Sequence, residues 1–333
     1  MNENRTTRQM ILSRLIKARQ LGTTVSGAKL AGELGISRNA VWKAVGSLQK
    51  EGFDIRSEHR RGYYLAAPAD ILDEAEIRSG IRSHAIPDDA LRLAVFDSID
   101  STNNYAKAQP VAGPALAVTS DEQTGGRGRL GRSFSSPKGT GIYLTYSFRP
   151  EFPIREVTDV TSIAAVITHQ VLSEISGEKL GIKWVNDIYK DNLKICGILT
   201  EALGGLESGS FERIIIGIGL NCLKGGIPEG LEGTAGTLTG LDEPGFTRNQ
   251  ILGELISRLH LAMDHKKTLS AAQYLDYYRA NCFILGKEIQ VIESGRDPYP
   301  AVAEEIGDHF ELTVRNRSGE LRTLTGGEVS LRL

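Results

Sequence analysis

Cysteine is scarce: Cys196, Cys222 and Cys282 are the only three in 333 residues, widely spaced and odd in number. That excludes a disulfide framework and leads us to expect a reducing, cytoplasmic setting. The six histidines show no metal-ligand spacing. No apolar run approaches the roughly 18 residues of a membrane span, and the opening Met1-Asn2-Glu3-Asn4 does not read as a signal peptide, so no membrane association is expected. No Ser-His-Asp or Cys-His arrangement is visible, and there is no internal repeat. What remains is the composition of an ordinary globular chain, 40% hydrophobic and 24% charged, long enough for two or three domains.

The net charge of −2 hides an asymmetry. Residues 1–66 carry 12 Lys and Arg against 5 Asp and Glu, whereas the rest carry 27 against 36. A small basic module on an acidic body is expected to meet a polyanion. Its periodicity agrees. Thr7–Leu21 spaces Met10, Leu12, Leu15, Ile16 and Leu21 as a helix does, and Val25–Leu34 reads as a short second helix. Gly35-Ile36 makes a tight turn, and Ser37 is a good N-cap for a third helix reaching Glu51. Val41, Ala44, Val45 and Leu48 fall on one face of that helix, and Arg38, Asn39, Trp42, Lys43 and Gly46 on the other. Two helices joined by a short turn, the second with a polar, basic outer face, predict a helix-turn-helix DNA reader. Phe53–Arg56 and Gly62–Leu65 alternate like a hairpin with His59, Arg60 and Arg61 near its tip, which completes a winged helix-turn-helix. The alternative is a three-helix interaction module that touches no DNA; the charge balance favours DNA.

Residues 66–70 read as a linker, followed by a helical patch over 73–79. Strands are expected at 91–97, 115–119, 142–148, 180–185, 194–202 and 213–221. Helices are expected from the Ser101 cap to Gln109, over 157–175, over 249–266 and over 269–282. Elements that do not alternate strictly predict an α+β domain with a mixed or antiparallel sheet. From about Phe283 five short strands (287–293, 300–306, 310–315, 321–325 and 328–331) predict a small SH3-like barrel. The expected domains are therefore 1–66, 67–283 and 284–333.

The central feature is Thr124–Gly141, with six glycines, four cations (Arg127, Arg129, Arg132, Lys138) and no acid. Glycine lets a ligand approach main-chain N–H groups, and arginine presents a fork of donors to a carboxylate or phosphate. The stretch predicts a flexible loop that folds over an anion, against the alternative of a merely solvated basic loop. It also spells G-x-G-x-x-G, but a β-rich run follows instead of a helix, so the dinucleotide reading fails.

Around it stand Ser101-Thr102-Asn103 at a strand-to-helix turn, Gln123 before the loop, Lys183-Trp184-Val185-Asn186-Asp187 at a strand end, Lys194 opening K-x-x-G-I-L-x-E, and Asn221 closing G-I-G-L-N. Singly each is weak: Asn186 and Asn221 could form turns, and Lys194 could be a solvated edge residue. Trp184 could stack near the site or be structural, and Cys196 reads as a small buried hydrophobe. In this order, however, the motifs resemble those of biotin–protein ligases. With the winged helix in front and a small barrel behind, the chain resembles over its whole length the bifunctional bacterial family that is also the biotin operon repressor. One departure is visible, Val185 where the family usually has proline before Asn-Asp.

The resemblance implies that biotin and ATP form biotinyl-5′-AMP and pyrophosphate, and that biotin then passes to a lysine of an acceptor domain of a biotin-dependent carboxylase. It places biotin against Ser101, Thr102, Asn103, Gln123, Arg127, Gly128, Arg129 and Lys194. The catalytic charge would come from Lys194, Arg129 and Arg127. Arg132, Asn186 and Asn221 would face the nucleotide, with Asp187 placing Mg²⁺ or orienting Lys194. Operator DNA would meet Arg38, Asn39, Trp42, Lys43, Arg60 and Arg61, the chain acting as a homodimer when the adenylate is bound. The rivals are a lipoate–protein ligase, and a ligand-sensing transcription factor without catalysis.

Overall fold

A computed structural model of the chain describes residues 7–50, 53–58, 60–66, 69–150, 157–204, 211–223, 225–227, 229–240, 245–263, 271–293, 297–326 and 328–331. His59 of the expected wing, residues 67–68 of the linker, and residues 264–266 and 269–270 of two expected helices lie outside the described residues. The chain parts into two compact units, 1–73 and 74–333.

The first unit contains α1 (Thr7–Gln20), α2 (Gly27–Leu34), α3 (Arg38–Lys50), β1 (Ile55–Glu58) and β2 (Gly62–Leu65). Ser26 and Ser37 start α2 and α3 by accepting from the N–H of Lys29 and Ala40, each at 3.1 Å. Gly35 ends α2 in the left-handed region at φ 64°. Val41, Ala44, Val45 and Leu48 are buried as their spacing predicts, and they pack with Ile11, Leu12, Leu15 and Leu30. Leu21, expected on the apolar stripe of α1, is exposed, because the helix ends at Gln20. β1 and β2 pair antiparallel, and Val25 and Tyr63 exchange backbone bonds at 2.9 Å that tie the hairpin to the start of α2. Gly62, at φ 110°, is needed there, since a Cβ would collide with the Val25 backbone.

The second unit begins with α4 (Glu74–Ser83), β3 (Leu91–Phe96), α5 (Thr102–Ala108), β4 (Ala115–Ser120) and β5 (Gly141–Phe148). It continues with α6 (Val157–Ser176), β6 (Gly181–Lys183), β7 (Asp187–Lys190), β8 (Leu193–Leu203), β9 (Arg213–Asn221), α7 (Arg248–Ala262) and α8 (Ala272–Asn281). Its seven-stranded sheet runs β3-β4-β5-β9-β8-β7-β6; β3 and β4 are parallel and every other pair is antiparallel, the mixed sheet expected. Helix α5 packs against β4, β5 and β9, while α6 and α7 pack against β8 and β5, which leaves every residue of β5 buried. The expected strand over 180–185 stops at Lys183; Trp184–Asn186 turn the chain, and Asp187 opens β7, which sequence reading missed. Val185 therefore continues no strand.

The last five strands are β10 (Glu288–Ile292), β11 (Tyr299–Ile306), β12 (Leu312–Asn316), β13 (Leu321–Leu324) and β14 (Glu328–Leu331). They form an antiparallel sheet in the order β13-β12-β11-β10-β14, bulged between Ala303 and Glu305. This sheet lies within the second compact unit. Trp184 Nε1 donates to the Phe310 carbonyl at 2.7 Å, and Arg279 Nε to that of Ile306 at 2.8 Å. Trp184 is thus a buried anchor for the C-terminal sheet.

Two ion pairs hold this unit at informative places. Arg248, fully buried at the start of α7, meets Asp121 at 2.7 Å and donates to the Gly141 carbonyl at 3.0 Å. It thereby ties together the two ends of the glycine-rich loop. Breaking a buried pair strands its partner's charge, so Arg248→Met should cost about 3 kcal/mol in chemical denaturation. Asp121→Asn in the same chain should return part of it.

The exposed His309 donates from Nδ1 to the buried Asp159 Oδ2 at 3.1 Å. That hydrogen bond first, and the carboxylate's charge second, raises the His309 pKa. A raised folded-state value means the pair's contribution is complete below the ordinary histidine value of about 6.5 and is lost as pH climbs through the folded value. The melting-temperature gap between the native protein and His309→Gln should be present in mild acid and vanish in mild alkali. Because the imidazole is largely in solvent, the gap should be small.

Candidate active site

Helix α5, the glycine-rich loop, the β6–β7 turn and the strands β8 and β9 converge on a cavity of about 480 Å³. Every small-molecule site residue expected from the sequence lines it: Ser101, Thr102, Asn103, Gln123, Arg127, Gly128, Arg129, Arg132, Asn186, Asp187, Lys194 and Asn221. Its charged lining consists of Arg127, Arg129, Arg132, Lys183 and Lys194 against the single acid Asp187. Such a cleft attracts anions.

At one end the groups are polar and uncharged. Ser101 caps α5, accepting from the Asn104 N–H at 3.4 Å, so the next two residues project from the first helical turn. Gln123 Oε1 accepts from the Thr102 N–H at 2.9 Å, and Gln123 Nε2 donates to Ser136 Oγ at 3.0 Å. Asn103 lies over Gly217, where a Cβ would come within 2.5 Å of its Oδ1. Gly219 likewise leaves room for the Phe134 ring, which a Cβ would approach to 2.7 Å. The glycines of G-I-G-L-N are therefore a floor on which other side chains rest.

At the other end the cations are held by neighbours. Lys194 Nζ meets Asp187 Oδ1 at 2.7 Å. Arg129 Nη1 donates to Asn186 Oδ1 at 2.9 Å, while Asn186 Nδ2 donates to the Ile198 carbonyl at 2.6 Å. Asn221 Nδ2 reaches the Gly236 carbonyl at 3.2 Å. Asn186 thus spends its amide inside the protein, orienting Arg129. Arg127 and Arg132 are exposed at the rim. The neighbouring Asp100 carboxyl is held below its ordinary range, chiefly by the Asn104 side-chain amide and the Ser101 N–H, with the Arg127 charge a minor contribution. Burial drives the Cys196 thiol far up despite nearby Lys194, so it offers no thiolate.

The glycine-rich loop is more structured than its composition predicts. Gln123 pairs with Ser136 and Arg127 with Ser133, and Gly128 donates to the Arg132 carbonyl at 2.7 Å. Residues 129–131 make one 3₁₀ turn, and no α-helix follows, as required for rejecting the dinucleotide reading. Past that turn, Tyr143 donates to the Pro137 carbonyl at 2.8 Å; burial pushes its pKa up to about 12, so it stays a donor.

Sequence reading gave no role to Lys183, Ser136, Thr145, Glu201 or the Leu231–Ala235 segment. Lys183 and Glu201 stood inside recognised motifs. Thr145 is one hydroxyl within an apolar strand, and the segment near Leu231 has no periodicity, so neither carried a signal.

In the first unit, Arg38, Asn39, Trp42 and Lys43 are exposed along α3, and Arg60 and Arg61 in the β1–β2 turn. Trp42 is 65% exposed, and Arg61 pairs with Glu58 at 3.1 Å. A groove lined by Ser26, Arg38, Trp42, Gln49, Arg60 and Tyr63 separates the helices from the wing. Among the described residues no group of three or more His, Cys, Asp or Glu is placed to hold a metal, and no helix is long and apolar enough to cross a membrane.

Known proteins resemble both parts of the chain. Residues 95–221 match the biotin/lipoate A/B protein ligase family, and residues 7–64 match an HTH domain family. The bifunctional ligase/repressor BirA of Bacillus subtilis is 37% identical over 199 residues, which are 59% of this chain and 60% of that protein. The match thus spans less than two thirds of that relative. The protein of the same name from Salmonella typhimurium is 29% identical over 312 residues, 92% of this chain and 93% of its own length. Among solved structures, the biotin protein ligase of Aquifex aeolicus in complex with biotin and ATP superposes with a TM-score of 0.60 at 26% identity, covering 72% of this chain and 98% of that one. Residues 95–221 are thus similar to the biotin/lipoate A/B protein ligase family, and the preceding residues 7–64 to an HTH domain family.

Proposed function

We propose that the protein is an ATP-dependent biotin–protein ligase and a biotin-responsive transcriptional repressor that uses biotinyl-5′-AMP as its corepressor. The observation that carries the enzymatic half is the cleft itself, five cations and one acid beside an uncharged polar end. Joining a carboxylate to a phosphate brings two anions together, so fixed cations must hold both while charge moves to the departing pyrophosphate. Ser101, Thr102, Asn103 and Gln123 suit the uncharged ureido head of biotin. Arg127, Arg129 and Lys194 then meet its carboxylate and the α-phosphate, Arg132 and Asn221 face the nucleotide, and Asn186 serves that end by orienting Arg129. A carboxylate oxygen attacks the α-phosphorus as the bond to pyrophosphate breaks. The amine of an acceptor lysine, on a biotin-dependent carboxylase, later attacks the acyl carbon and releases AMP. No side-chain nucleophile is required.

Mg²⁺ would neutralise phosphate charge. Asp187, the one acid lining the cleft, is already paired with Lys194. The donor set therefore fits a Mg²⁺ ion that arrives on ATP with phosphate oxygens as ligands, not a resident metal.

The reading is tested by incubating the protein with ATP, an acceptor domain and labelled biotin, with labelled lipoate as the rival. Biotin label on the acceptor is expected; lipoate label alone would make it a lipoate–protein ligase, and no label would leave a ligand sensor. In the same assay Lys194→Ala should lose roughly 2–4 kcal/mol of transition-state stabilisation. A near-normal adenylation rate would remove Lys194 from the chemistry.

The regulatory half rests on the exposed basic face of α3 and the wing arginines. One such module reads a short site weakly and mostly through phosphates, so repression requires a homodimer on a pseudo-palindromic operator. A ligand promotes that state only by binding it better. In a titration with operator DNA, biotin plus ATP should tighten binding and excess acceptor domain should reverse it. Removing residues 1–73 should abolish DNA binding and leave the ligase activity. Operator affinity indifferent to both additions would reduce the protein to a ligase.

A further inference from the structure

Glu201 lies on β8, in the K-x-x-G-I-L-x-E run, and the chemistry above makes no use of it. Its carboxylate faces two donors, Lys107 Nζ at 2.7 Å from Oε1 and Asn103 Nδ2 at 2.9 Å from Oε2. A carboxylate only accepts, so Asn103 must turn its nitrogen toward Glu201 and its oxygen the other way. That oxygen lies 2.6 Å from the hydroxyl of Thr145, which is fully buried. Thr145 Oγ1 is in turn 2.7 Å from Thr102 Oγ1, and Thr102 Oγ1 is 3.1 Å from Gln123 Oε1.

Three oxygen–oxygen contacts here share the protons of two hydroxyls. Asn103 Oδ1 brings no proton, so Thr145 donates to it, and Thr102 gives its one proton to the nearer of its two neighbours, Thr145 at 2.7 Å, not Gln123 Oε1 at 3.1 Å. Nothing is left to bond Thr102 Oγ1 to Gln123 Oε1, whose one intramolecular donor is then the Thr102 N–H at 2.9 Å. Two acceptor oxygens 3.1 Å apart consequently meet in the cleft wall, each with a lone pair to offer. Gln123 cannot turn its amide end for end, because Nε2 is committed to Ser136 Oγ, which lies 3.1 Å from the Phe134 carbonyl. The pair of acceptors suits an N–H group on the ligand.

We propose that Glu201 is a positioning residue that sets the direction of this hydrogen-bond chain and so keeps Thr102 and Gln123 as paired acceptors for a ureido N–H of biotin. The proposal rests on the biotin ligase reading. Glu201 touches no ligand; it acts through Asn103 and Thr145.

The test exploits Lys107. In Glu201→Gln the ammonium of Lys107 demands the new amide's oxygen, which turns the amide nitrogen to Asn103. Asn103 must then flip end for end, Thr145 donates to Thr102, and Thr102 donates to Gln123 Oε1, which is thereby saturated. Calorimetric titration with biotin alone should show affinity falling roughly tenfold, the loss of one ligand hydrogen bond. In Glu201→Gln with Lys107→Met the amide is free to turn back, so affinity should recover most of that loss, while Lys107→Met alone stays near the native value. The KM for ATP should not move in any of them. A merely structural role predicts the opposite order, with the double variant worse than either single one. Should Glu201→Gln fail to fold, Thr145→Val and Thr145→Ser supply the second test: valine, lacking the proton, should weaken biotin binding and serine should keep it. Native affinity in Glu201→Gln, a double variant no better than that single one, or equal binding by the valine and serine variants would overturn the assignment. A native protein that binds no biotin overturns the ligase reading itself, and this assignment with it.

Discussion

Like charges confined to one cleft repel, and the second unit is built around tolerating that repulsion. Five cations line a cavity of about 480 Å³ with one acid among them. Their mutual energy is lowered by neighbouring groups, among them Asp187 for Lys194 and the Asn186 carbonyl oxygen for Arg129, and by the exposure of Arg127 and Arg132. Full neutralisation by acids would have removed the field that draws in anions. Neutral amides orient a guanidinium without cancelling it, which is why asparagines recur around this site.

Holding such a site requires a rigid support, and the sheet supplies it. β5, between β4 and β9, is buried along its whole length. The loop that carries the arginines leaves from the end of β4 and returns into β5, with the Asp121–Arg248 pair closing its base. A loop rich in glycine is therefore fixed at both ends by a buried ion pair, and between them by its own cross-bridges. The C-terminal sheet adds Ile292, Val329 and Ser330 to the cavity wall. It is held through Trp184, one residue of the same turn that presents Asn186 and Asp187.

The basic front unit follows a different logic. Its exposed cations include Arg38 and Lys43 on α3 and Arg60 and Arg61 in the hairpin turn, and its core is a small set of aliphatic side chains at helical spacing. Two serine caps start α2 and α3, and two left-handed glycines, Gly22 and Gly35, follow α1 and α2. Caps, turn glycines and helical periodicity act over a few positions, so sequence reading recovers these elements well.

That contrast divides what the sequence by itself determined from what tertiary structure decided. Local rules reached the three front helices, the five C-terminal strands and the mixed sheet, because periodicity, caps and turn residues act over a few positions; the cleft residues were named by the family resemblance of their motifs. β7 escaped, since four residues after a tight turn carry too little pattern. The roles of the motif residues also escaped. Asn186 spends both ends of its amide inside the protein, Trp184 anchors a strand pair 126 residues away, and Glu201 reaches Asn103 across 98 residues. Arg248 and Asp121, 127 apart, meet only because α7 packs on β5. Hydrogen bonds depend on tenths of an ångström between atoms that folding brings together, and no pattern along the chain records that distance.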